Sequence, residues 1–138
     1  MAGKKRVFFN ETPIKPAHGR AIYKVYFVAE GNSSTVMEAF NAFDEDTKEK
    51  IKALIINMAT HENYQSPQIK YSLSGYSYGE IRPKPHRFFF FQKCGKNYIF
   101  FDYILKKRNT LPDRIYKNIN IKKEKYEKEF EEFIKGLQ

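Results

Sequence analysis

The sequence predicts an α+β fold: an antiparallel, twisted sheet with an N-terminal helical hairpin and a C-terminal helix. Three observations carry that expectation. Residues 88–91 are four consecutive phenylalanines, which read as a strand buried on both faces. The short, glycine-bearing KCGKN joins this run to a second apolar run, NYIFFDYIL, so the two should pair as a hairpin. Residues 35–60 and 115–133 place apolar side chains at helical intervals. A length of 138 residues favours one domain, and 13 Phe with 10 Tyr are ample for its core.

Residues 1–19 are polar and basic, interrupted by Pro13 and Pro16, and are expected to form a flexible N-terminal arm before a single domain over 20–138. AIYKVYFVA, residues 21–29, is rich in β-branched and aromatic residues and reads as the first strand. EGNSS breaks it. Thr35 with Glu38 three residues on is a capping-box signature for a short helix carrying Val36, Phe40 and Phe43 on one side. FDEDTKEK restarts the chain with acids that favour the positive end of a second helix. There Ile51, Leu54, Ile55 and Met58 share one face. THENYQSPQ is a polar loop into residues 68–82, a strand with bends at Gly75 and Gly79. Pro83 and Pro85 cannot donate to a ladder, so RPKPH is expected to turn. After the phenylalanine hairpin, Thr110 can cap a last helix with Pro112 in its first turn. Ile115, Ile119, Tyr126, Phe130 and Phe133 give that helix its apolar face.

The formal net charge is +9. That sign favours a polyanionic partner: nucleic acid, an acidic protein segment or an anionic membrane surface. Residues 81–110 hold Arg82, Lys84, Arg87, Lys93, Lys96, Lys106, Lys107 and Arg108 against Asp102 alone, a net +7 within the strongest strand signals. A basic site built on a sheet is the reading this implies. Cys94 is the lone cysteine, which excludes an internal disulfide and a cysteine-based metal site. His18 and His61 have no second ligand at helical or strand spacing, so no metal is expected, and no cofactor. No run approaches the roughly 18 apolar residues of a membrane span. The start lacks an apolar signal core, which makes a cytoplasmic protein the expectation.

One stretch adds a resemblance. Leu73 and Gly75 precede Tyr78, then Glu80-Ile81-Arg82, then Arg87 opening the phenylalanine strand. YIFFDYIL, Lys106-Lys107, RNTLP and a helix from Pro112 follow. In order and spacing this resembles the RelE/ParE superfamily of toxin–antitoxin toxins, above all its phage-derived RelE-like and HigB-like branch, over residues 36–130 and best over 73–119. The resemblance implies a RelE-like fold and a metal-independent messenger-RNA endoribonuclease acting at the ribosome. It also implies neutralisation by a cognate antitoxin in a hetero-oligomer. Arg87 matches the arginine opening the third strand of that branch. Lys107, or its neighbour Lys106, matches the basic residue after the fourth, and Tyr116 lies near a tyrosine of the last helix. Some members carry two basic residues where this chain has Tyr78 and Glu80.

Metal-free RNA cleavage needs a base for the 2′-OH, an acid for the leaving oxygen and positive charge on the phosphorane. The candidate catalytic residues are Arg87, whose guanidinium can bind two phosphate oxygens at once, with His86 and Lys107. An unperturbed histidine near pKa ~6.5 can take either proton role. Arg82, Lys84, Lys106 and Arg108 are candidate phosphate contacts, and Tyr103 and Tyr116 candidate base-stacking residues. Two other readings stay open: a non-enzymatic or inactive member of the same superfamily, and a plain RNA-binding module. An antitoxin is expected to lay an acidic segment over Arg82, Arg87 and Lys107, or beside a last helix whose Tyr126, Phe130 and Phe133 either offer a dock or simply close the core.

Overall fold

A computed structural model describes residues 6–106 and 111–137. The chain runs β1 (Val7–Thr12), β2 (Lys24–Glu30), α1 (Thr35–Asn41), α2 (Glu45–Thr60), β3 (Ile69–Lys70), β4 (Gly79–Ile81), β5 (His86–Gln92), β6 (Asn97–Leu105) and α3 (Asp113–Gly136). The strands make one sheet in the order β1-β2-β6-β5-β4-β3.

The expected antiparallel sheet with an N-terminal helical hairpin does not form. The sheet is mixed, because β2 lies parallel to β6 while the other neighbouring pairs are antiparallel. Two strands precede α1 and α2, so the helical pair is inserted between β2 and β3. After α2 the chain enters the far edge of the sheet at β3 and comes back through β4, β5 and β6. That return leaves β6 beside β2 and running the same way, with residues 24–27 paired to 97–100. Period-two patterning says which side chains of a strand face inward. It does not say which distant strand that strand will join.

The first nineteen residues are not all loose arm. Residues 7–12 form β1 along β2, and Phe9 is buried with its ring edge-on to Phe130 at 5.0 Å. Pro13 follows β1 directly and ends it, because proline has no N–H for the ladder. The caps also shift by a residue or two. Ser34, not Thr35, caps α1, its hydroxyl accepting from Met37 N. Asp44 caps α2 by accepting from Thr47 N at 2.8 Å. Pro112 is itself the N-cap of α3, and Thr110 lies outside the described residues. The bent strand expected over 68–82 divides into β3 and β4 around a turn, where Leu73 N donates to Tyr78 O.

The phenylalanine run separates two cores. Phe88 and Phe90 face α1 and α2 with Val25, Val36, Ile51, Leu54 and Met58. Phe89 and Phe91 face α3 with Phe9, Tyr26, Ile119, Tyr126 and Phe130. Helices therefore cover both faces of the sheet. A β-bulge lies between these strands, since Phe89 pairs with Asp102 but Phe90 with Phe100, leaving Phe101 as the extra residue. The bulge resets the alternation of β6. Asp102 stays on the α3 side, where Lys122 Nζ donates to it at 3.1 Å, and Tyr103 passes to the α1/α2 side.

Candidate nucleic-acid interface

The site is built where β4 turns into β5. Glu80 in β4 and Arg82 just after it are two residues apart in extended chain, with Arg82 N still bonded to Gln68 O, and so share a face. Arg87, the second residue of β5, is on that same α3 side, next along the face to Phe89, the partner of Glu80 in the ladder. The two arginines flank one buried carboxylate: Arg82 Nε lies 3.8 Å from Glu80 Oε1 and Arg87 Nε 3.9 Å from Glu80 Oε2. Both distances are long for a hydrogen bond.

The two guanidinium groups are accordingly under-bonded. Arg82 donates to Pro67 O at 3.3 Å and Arg87 to His86 O at 3.4 Å. Their Nε atoms are buried and have no hydrogen-bond partner. Arg87 is only 7 % exposed, so the start of β5 holds a nearly enclosed cation with an unpartnered Nε. Buried polar groups are normally satisfied, so these two exceptions call for an explanation.

Arg82 and Arg87 line a cleft of about 520 Å³ with Thr47, Lys50, Pro67, Gln68, Pro83 and Lys84. Four cations thus converge, and the cleft lining itself contains no acid. Lys50 makes an exposed ion pair with Asp46, at 3.4 Å, a contact of little strength in water. Lys50 enters from α2 and was not legible as a site residue, because nothing in sequence brings it to β4. Glu80 is legible from the sequence, where Arg82 and Arg87 flank the turn and can pair with it for structure, as they do here.

The remaining sequence candidates distribute unevenly. His86 is not with Arg87. Consecutive strand residues point to opposite faces, and His86 packs on the α1/α2 side, its ring 4.3 Å from that of Phe43. Its Nδ1 is 2.7 Å from the Tyr103 hydroxyl. Burial holds the His86 pKa below its ordinary value, with Asp44 nearby opposing that shift. Tyr103 is committed to this cluster, packing on Phe88 at 4.9 Å between ring centres. Tyr116 sits on the arginine side, where its carbonyl accepts from Tyr78 Oη and its ring stacks on Tyr76. Burial raises the Tyr116 phenol, and Arg87 and Arg82 work against that. Lys84 is exposed at the cleft, and Lys106 N donates to Pro85 O beside the same turn. Lys107 and Arg108 lie outside the described residues.

The basic window is not one continuous face. Lys93 pairs with Glu131 at 2.8 Å and Lys96 with Glu62, both at the far end of the β5–β6 hairpin. Tyr126 and Phe130 are buried and Phe133 packs on the same core, so these side chains close the core. Among the described residues, no group of three or more His, Cys, Asp or Glu is placed to hold a metal ion, and no helix is long and apolar enough to cross a membrane. The chain matches no protein-family model, no curated protein and no solved structure.

Proposed function

We propose that the protein binds RNA phosphates in the Arg82–Arg87 cleft, and that it does so as a cytoplasmic toxin that cuts messenger RNA without a metal and is held in check by a partner antitoxin. The observation that carries the RNA reading is the under-bonded Arg87 guanidinium, nearly buried and opening on a cleft with three further cations. A planar guanidinium suits a phosphate, which accepts two parallel N–H bonds. The toxin reading adds the resemblance of residues 73–119, and with it messenger RNA in the ribosome as substrate. An acidic antitoxin segment over Lys84 and Arg82 would both block the cleft and associate quickly by charge.

One observation favours the second reading, an RNA-binding module that does not cut. Cleavage needs a proton acceptor within reach of the 2′-OH. His86 is separated from Arg87 by the strand itself. In the toxin reading the arginines therefore act mainly through the charge they hold against the phosphorane.

Induction of the chain alone in a bacterial host, with transcript 5′ ends mapped, tests both. Growth arrest with new 5′ ends, lost in Lys84→Glu, supports the toxin. RNA binding by the purified protein without new ends supports the module. An absence of both contradicts the cleft as an RNA site.

A further inference from the structure

The α1/α2 side of the sheet holds a second feature, independent of the arginine cleft. α1 and α2 do not close completely on β2, β5 and β6, and a hollow of about 290 Å³ remains between them, roofed by residues 12–15. Phe27, Phe88 and Phe100 form its floor, and Val36, Ile51 and Ile55 its walls. Protein interiors pack as densely as organic crystals, and an apolar hollow of this size is a loss of contacts unless something fills it. The volume is close to the lower end of small-molecule sites, roughly 300 Å³. That is too small for a folded partner.

The polar features of the hollow are confined to few groups. Lys15 and Lys52 line it, both on exposed residues, and no acid lines it. Lys52 reaches Glu49 at 3.5 Å, an exposed pair of little strength in water. An apolar interior with two cations on its solvent side matches a molecule that is apolar along its length and anionic at one end.

We propose that this hollow binds a medium-chain amphiphile: an unbranched apolar tail lying on Phe27, Phe88 and Phe100, with a carboxylate head held by Lys15 and Lys52. Calorimetric titration of the whole protein with decanoate, below its micelle concentration, is the test. One molecule should bind per chain. Across decanoate, octanoate and hexanoate, affinity should fall about fourfold for each methylene removed, the equivalent of its transfer free energy. The double variant Lys15→Glu with Lys52→Glu should lose decanoate at least tenfold and keep 1-decanol. Both changes are at exposed positions, and an unaltered thermal melt confirms that the variant is folded; Lys52→Gln alone repeats the comparison if it is not. Absence of binding overturns the site. An affinity independent of tail length overturns the tail assignment and reduces the contact to surface ion pairing. Equal decanoate binding by the charge-reversed variant overturns the head assignment.

Discussion

Arg87 Nε stands 3.9 Å from Glu80 Oε2, near enough for the charges to interact and too far for a hydrogen bond. Arg82 meets the other oxygen of the same carboxylate at 3.8 Å. Glu80 thus supplies counter-charge to two guanidinium groups at the β4–β5 turn without a close hydrogen bond to either Nε. The single carboxylate offsets only part of the two positive charges.

Arg87→Lys tests the role of the fork. Lysine keeps the charge beside Glu80 but loses the planar pair of donors. Single-stranded RNA should bind about tenfold more weakly, the equivalent of one charged hydrogen bond, with the thermal midpoint little changed. Unchanged affinity, read by fluorescence anisotropy, would take Arg87 out of the site.

His86 gives a pH dependence with a definite sign. Burial lowers its pKa in the fold, so the folded chain prefers the neutral ring. The stability this confers is complete above the unfolded value of about 6.5 and falls as pH drops from there through the folded pKa. His86→Phe should flatten the part of the stability profile that falls below about pH 6.5, as measured by denaturant midpoints. RNA binding should be unaffected, because the ring lies on the other face of β5.

Phe9→Ala measures whether β1 belongs to the fold. Phe9 is buried between Phe130 and Phe133. Its truncation should cost about 3–5 kcal/mol in chemical denaturation. A loose arm would lose nothing.

Gly79→Ala should disturb the site from behind. A Cβ at Gly79 would run into the backbone carbonyls of Lys70 and Tyr71. Backbone must then shift between β3 and β4, the segment that fixes Arg82 N on Gln68 O. Reduced RNA affinity together with a lower melting temperature is expected. A variant with wild-type values for both would show that this close approach does not matter.

Much of the local structure was legible. The hairpin 86–105, the helical periodicity of α2 and α3 and the two-sided burial of Phe88–Phe91 follow from patterns a few residues wide. The parallel contact of β2 with β6 was not legible, because hydrophobic period does not encode a partner far along the chain. β1 was missed because its apolar content is short and two prolines follow it. The site was half legible. Arg82, Lys84 and Arg87 do converge, but the pairing of His86 with Arg87 ignored strand alternation, which puts neighbours on opposite faces. The bulge at Phe101 could not be foreseen, and it is what carries Tyr103 to His86.

The salt dependence of single-stranded RNA binding tests the central claim most directly. Each phosphate neutralised contributes about −0.7 to the slope of log affinity against log salt, so Lys50, Arg82, Lys84 and Arg87 together should give about −3. Lys84→Glu, at an exposed position that leaves the core alone, should weaken binding and make the slope shallower by about 1. Binding that ignores salt, or a Lys84→Glu protein with the wild-type affinity and slope, would contradict RNA recognition in this cleft.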